Sequence, residues 1–165
     1  MLTPSLIPPE GRALTVDEHA ALSKEMSRIV ETSHLFKSLD DAGRTRVLSS
    51  GYVCAFSGGD TIIRQGEVGD TMYMVLSGEV TVTAHSEDAE VPLANLGRGA
   101  CIGEVSIIRG GERTATVVAS NDVELVAFKK KLIERVLDDY PKVRATLERV
   151  VDGRARRTIE KIVGS

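Results

Sequence analysis

Gly103-Glu104-Val105-Ser106-Ile107-Ile108-Arg109-Gly110-Gly111-Glu112-Arg113-Thr114-Ala115-Thr116 puts a carboxylate and a guanidinium at the two ends of a short glycine-bearing loop. Gly103 lets backbone approach a ligand closely, and Glu104 beside it accepts a hydrogen bond from a sugar hydroxyl. Arg113 supplies a planar fork that matches two phosphate oxygens. If the residues between them form one short helical turn, its leading N–H groups add the partial positive charge of a helix start. The pattern describes a receptor for a small anion carrying a sugar, set between stretches that read as strands.

On both sides of the loop the sequence is strand and turn. From Tyr52 onward, short β-branched and aromatic segments are punctuated by Gly58, Gly59, Gly66, Gly69, Gly78, Gly97 and Gly99. Met72 to Leu76 is nearly continuous apolar sequence, as in a strand buried on both faces. Val80 and Val82 alternate with Thr81 and Thr83, as in a strand buried on one. His85 to Glu90 reads as a polar hairpin tip. Thr114 to Ala119 and Val123 to Phe128 read as a closing pair of strands joined through Ser120, Asn121 and Asp122. Regular short strands of this kind predict an antiparallel β-roll or jelly-roll barrel, closed or rolled, over residues 52–128.

Helices flank it, so the fold class is mainly β with helices at both ends. Residues 1–12, with Pro4, Pro8, Pro9 and Gly11, read as a loose arm. The helical part, 13–51, begins with a capping-box pattern, Thr15 and Glu18. Leu14, Ala21, Leu22, Met26, Ile29 and Val30 then recur at helical spacing. A second helix starts at Asp40 or Asp41 and stops at Gly51, and Leu35, Phe36 and Leu39 form an apolar cluster between the two. Residues 129–165 return to helical period, first in Lys130 to Leu137 and then from Pro141 to about Val163. Val143, Leu147, Val150 and Val151 form one stripe there. Continuing it by three or four residues lands on Arg154, a cation that either snorkels to water or faces a ligand. Gly153 beside it marks a bend or a close approach.

With 165 residues and a net charge of −3, the composition carries neither a nucleic-acid footprint nor an acidic tail. Cys54 and Cys101 stand in apolar contexts without ligand spacing, as buried thiols of a reducing compartment do. His19, His34 and His85 are scattered and suggest no metal site. No apolar run approaches the roughly 20 residues that cross a bilayer, so no membrane association and a cytoplasmic location are expected.

The chain resembles the cyclic nucleotide-binding domain over about Leu35 to Gly153. The resemblance is carried by Gly59-Asp60-Thr61-Ile62-Ile63-Arg64-Gln65-Gly66-Glu67-Val68-Gly69-Asp70, then Met72-Tyr73-Met74-Val75 and Ser77-Gly78-Glu79-Val80, and by the pairs Gly103-Glu104 and Arg113-Thr114-Ala115 of the phosphate-binding cassette. It implies cyclic AMP, or cyclic GMP, as the ligand. Glu104 would bind the ribose 2′-hydroxyl, Arg113 the cyclic phosphate, and the amides of Gly103, Glu104 and Ala115 would complete the cradle beside Val105. Thr114 would touch phosphate or base, and Arg154 would cap the base from a lid helix. Met72, Tyr73, Val82 and Leu96 are either base-pocket or core residues. Ile102 stands where an aromatic residue is common, and Glu112 where proline is frequent, which implies a looser turn before the arginine.

The function implied is a regulatory sensor that repositions its C-terminal helices, not an enzyme. Its terminal helices would meet an effector protein or a second copy. An alternative is a nucleotide-independent interaction or dimerisation module of the same fold, whose cue would be loss of cassette residues. A DNA-binding regulator is a weaker fit: Arg154, Arg156, Arg157 and Lys161 make a basic end, but no helix-turn-helix follows before Ser165.

Overall fold

The computed structural model describes residues 11–150; Gly153, Arg154 and the basic end lie outside them. Arg12 and Ala13, expected at the join of arm and helix, instead form strand β1 (Arg12–Ala13) against β2 (Tyr52–Phe56). Helix α1 (Val16–Lys24) starts with the expected reciprocal cap: Glu18 N–H donates to Thr15 Oγ1 at 3.1 Å and Thr15 N–H to Glu18 Oε1 at 2.9 Å. Arg12 adds a two-pronged bond to the same carboxylate, at 2.6 and 2.9 Å, which locks β1 to α1. That guanidinium, more than any other neighbour, holds the Glu18 pKa down at about 2 against an ordinary 4.5. Because the folded-state value is the lower one, the contribution is complete above about 4.5 and disappears as pH falls toward 2. Thr15→Ala is expected to cost about 1 kcal/mol at neutral pH, read as a lower urea midpoint.

The helical spacing through Val30 is not one helix. It breaks at Glu25, at φ −91° and ψ 11°, and resumes as α2 (Met26–Ile29). The break presents the Glu25 carboxylate to Arg98, which donates to it at 2.9 and 2.7 Å, while Leu22, Met26 and Ile29 remain buried. Leu35 and Phe36 lie on a short helix of their own, α3 (His34–Ser38), capped by Ser33. Asp40 caps α4 (Asp41–Ser50) by accepting from Gly43 N–H at 2.8 Å, and Gly51 ends that helix.

The remaining elements are β3 (Thr61–Ile63), β4 (Thr71–Ser77), β5 (Val80–His85), β6 (Glu90–Leu96), β7 (Cys101–Ile102), α5 (Glu104–Arg109), β8 (Thr116–Ala119), β9 (Val123–Lys129) and α6 (Lys130–Leu137). A further helix, α7, occupies residues 141–150. The strands make two antiparallel sheets, β1-β2-β9-β4-β7 and β3-β8-β5-β6. The expected antiparallel fold with flanking helices is present, in its rolled form. No ladder joins the two sheets among the described residues, so the barrel does not close.

β8 and β9, expected as a pair, belong to different sheets: β8 lies between β3 and β5, and β9 between β2 and β4. Val117 and Ala119 of β8 face Val123, Leu125 and Ala127 of β9 across one buried cluster. The two strands therefore share a core and not a ladder. Ser120 to Asp122 carry the chain from sheet to sheet. Their side chains are used in the crossing, Asn121 Oδ1 accepting from Glu79 N–H at 2.8 Å and Asp122 Oδ1 from Gly58 N–H at 3.0 Å.

A second cluster joins the helices to the outer face of β4 and β9. Phe36 meets Phe128 edge-on, centroids 5.9 Å apart, and Ile133, Val136, Leu137 and Leu147 of α6 and α7 pack around them. Helices from both ends of the chain thus share one seam under the sheet that leads to the loop of Gly103 to Arg113.

Candidate functional site

The loop is built by glycines at its corners. Gly103 stands at φ +80° and ψ 9°, a left-handed conformation that strains a side chain, and it opens α5 without any side-chain cap. Gly110 and Gly111, at φ +81° and +91°, turn the chain back after the helix. Glu112 then bridges to Val68, Arg113 N–H donates to Glu67 C=O at 2.8 Å, and Gly66 N–H donates to Arg113 C=O at 3.0 Å. The turn that lacks a proline is tied by this backbone ladder.

That ladder delivers the Arg113 side chain inward. It is 7 % exposed, and every partner it has is neutral: Nη1 donates to Gly103 C=O at 3.1 Å and Ser106 Oγ at 2.8 Å, and Nη2 donates to Thr71 C=O at 2.5 Å. Among the described residues no carboxylate, that of Glu104 included, lies within ion-pair distance of it. Burial pushes its pKa down, against smaller opposing effects of Tyr73 and Asp70. The guanidinium fills the space that side chains at Gly69 and Gly103 would need. A Cβ on Gly69 would overlap Arg113 Nε, Cζ and Nη2, and one on Gly103 would come 2.6 Å from Nη1. A buried cation whose hydrogen-bond acceptors are all neutral keeps its positive charge largely unneutralised and can take an anionic partner.

Glu104 is buried too, at 2 % exposure, and its carboxylate is held from the N-terminal helices. Ser33 Oγ donates to Oε2 at 2.6 Å, His34 N–H to Oε1 at 3.0 Å and Leu35 N–H to Oε2 at 3.4 Å.

Arg113 and Glu104 border one cavity of about 370 Å³, within the range of small-ligand pockets. Gly103, Glu104, Val105, Arg113, Thr114 and Ala115 all line it, so six of the seven expected site residues converge. The seventh, Arg154, lies outside the described residues. Val82 and Leu96 line the apolar side with Ile102, whereas Met72 is buried in the helix-side cluster and Tyr73 stands edge-on to Phe56. Among those four base-pocket candidates, the cavity has two and the core two.

Sequence reasoning missed the contribution of Glu31, Thr32 and His34 to the rim. It also missed Ser33 on the carboxylate and the seat that Gly69 and the Thr71 carbonyl give Arg113. Gly69 was visible as part of the Gly69-Asp70 pair; Ser33 carries no local signal, being 71 residues from its partner. Cys54 and Cys101 are buried and no disulfide links them. Among the described residues no cluster of His, Cys, Asp or Glu has the arrangement of a metal site, and no helix is long and apolar enough to cross a membrane.

The family model of the cyclic nucleotide-binding domain matches residues 53–140. A cyclic nucleotide-gated channel beta-3 from Canis lupus familiaris is 35% identical over 132 residues, covering 78% of this chain and 16% of that protein. The chain thus spans about a sixth of that relative's length. Among solved structures, the N-terminal domain of a transcriptional regulator from Streptomyces coelicolor is similar at 34% identity and TM-score 0.61, covering 79% of this chain and 94% of that one. The Thermus thermophilus catabolite activator protein is similar at 31% identity and TM-score 0.63, covering 78% and 60%. A cAMP complex of the Toxoplasma gondii PKA regulatory domain, at 21% identity and TM-score 0.63 over 81% of this chain and 51% of that one, shares the fold. The match across most of the strands, the cassette loop and α6 shows that this chain belongs to the cyclic nucleotide-binding domain family.

Proposed function

We propose that the chain is a regulatory sensor module that binds cyclic AMP, with cyclic GMP as the second choice, and passes the event on by moving its C-terminal helices. One observation carries the reading: a guanidinium 7 % exposed, without a carboxylate partner among the described residues, on the wall of a cavity large enough for a nucleotide. Arg113 takes the cyclic phosphate, whose single negative charge needs one arginine and a few amides. Glu104 takes the ribose 2′-hydroxyl; Gly103, Glu104 and Ala115 contribute N–H groups, with Val105 alongside, and Thr114 reaches phosphate or base. Arg154 is the candidate base cap.

The ligand shifts the resting place of α6 and α7 only by its difference in affinity for their two positions. An effector protein or a second copy reads that shift through the terminal helices, in the cytoplasm, without direct contact to nucleic acid. Such a module regulates and does not catalyse. Among the structural relatives, one is a cAMP complex and another, an EAL enzyme, a cGMP-bound form.

Titration of the chain with cyclic AMP, cyclic GMP and the linear 5′-monophosphates tests this. The cyclic forms are expected to bind at least about tenfold tighter than the linear ones, since a doubly charged, freely rotating phosphate fits a single buried fork poorly. Equal binding of linear and cyclic forms, or no binding of either, would sink the reading.

A further inference from the structure

Glu104 faces two ways. The residue borders the cavity, yet its carboxylate is held by Ser33 Oγ–H at 2.6 Å and by the N–H groups of His34 and Leu35 at 3.0 and 3.4 Å. All three donors belong to the start of α3, about seventy residues away, so these bonds fasten the N-terminal helices to the cassette. The geometry points to a latch: without ligand, Ser33 and the first amides of α3 hold the carboxylate, and a ribose hydroxyl wins it by displacing Ser33 and loosening the start of α3. The inference rests on the proposed function and deepens it, because it makes α3 a second moving part besides the C-terminal helices.

The exchange is chemically even. Ser33 and a ribose hydroxyl make the same class of bond to Glu104, an O–H donor on a carboxylate, and such charge-assisted bonds are about twice as strong as neutral ones. The balance is then set by how well each donor is held. The segment carrying Ser33 is anchored on its other side, Thr32 Oγ1 accepting from Cys101 N–H at 3.0 Å, two residues before Gly103. What gives way is the far side. Ser33 Oγ also accepts from Phe36 N–H at 3.2 Å, and the Phe36 ring stands edge-on to Phe128, two residues before α6. Loosening the cap therefore loads the apolar seam on which α6 and α7 rest. A ligand that must first open a latch binds with an apparent affinity lowered by the fraction of molecules already open.

Two measurements on the 165-residue chain decide it: calorimetric titration of the parent and of Ser33→Ala with cyclic AMP and cyclic GMP, and amide hydrogen exchange of His34 and Leu35 in the parent with and without saturating nucleotide. The latch predicts that Ser33→Ala binds about tenfold tighter, as loss of a hydrogen bond to a charged group allows, and that both amides exchange faster when the site is filled. If Ser33 only orients Glu104, the variant binds more weakly and the amides gain protection; that result overturns the latch and leaves the cyclic nucleotide as ligand. Unchanged exchange in the parent also overturns it, whether or not the variant folds. A parent that binds neither nucleotide removes the proposed function and the latch together.

Discussion

Arg113→Ala is expected to weaken cyclic-nucleotide binding by about a hundredfold or more while the ligand-free chain still folds. The affinity loss follows from the setting of the side chain: truncating one partner of a buried charge pair costs ~2–5 kcal/mol, and among the described residues no other lysine or arginine borders the cavity. The guanidinium is held by the carbonyls of Thr71 and Gly103 and by Ser106 Oγ, all neutral, so in the ligand-free state its burial is offset only in part, by the more distant Asp70 and Tyr73. Removing it gives up three hydrogen bonds and also removes a desolvated cation, two effects of opposite sign on stability. Arg113→Lys should fall between alanine and parent, because an ammonium keeps the charge but cannot reproduce the fork. Calorimetric titration with cyclic AMP, beside urea unfolding without ligand, separates the two effects. An alanine variant that titrates like the parent would remove Arg113 from the phosphate site.

The parts of this molecule that were legible in its sequence are those whose causes are local. Thr15 and Glu18 cap one helix because each finds the other's backbone three residues away. Gly103, Glu104, Arg113, Thr114 and Ala115 converge on one cavity because a single six-residue helix separates the two ends of the loop. Where the cause lies elsewhere in the chain, the pattern is silent. Alternation along β8 and β9 tells which residues face inward, and the buried valines are where it puts them. It does not tell which strand lies alongside, and the crossing at Asn121 and Asp122 is fixed by Glu79 and Gly58.

The break at Glu25 has a partner 73 residues on, in Arg98. Met72 and Val82 read alike as apolar strand residues, yet one is sealed under the helices and the other borders the cavity. The hold of Ser33 on Glu104 belongs to the same class: an unremarkable serine acquires its role only when the helices fold onto the cassette.

Gly69→Ala carries the other large effect, and it should appear in affinity with little trace in stability. Gly69 is not among the glycines of positive φ, so its backbone accepts an alanine without strain. The added Cβ would, however, occupy the place of Arg113 Nε, Cζ and Nη2. Of the two groups in conflict, the guanidinium is the end of a long flexible side chain and the strand start beside Gly69 is not, so the arginine moves. It then leaves Thr71 C=O, Gly103 C=O and Ser106 Oγ, and the fork no longer points where the phosphate would sit. Affinity for the cyclic nucleotide is expected to drop about tenfold to a hundredfold, since a bidentate contact depends on geometry as well as charge. Gly59→Ala is the converse case. At φ +94° with nothing within 4 Å of a built Cβ, it meets no neighbour but takes the left-handed penalty, roughly 1–2 kcal/mol. Measured together, one variant should lose binding and keep its urea midpoint, and the other should lose midpoint and keep binding. If Gly69→Ala binds as tightly as the parent, Arg113 does not need the seat it occupies between Gly69 and Gly103, and its contact to the phosphate cannot depend on being held there.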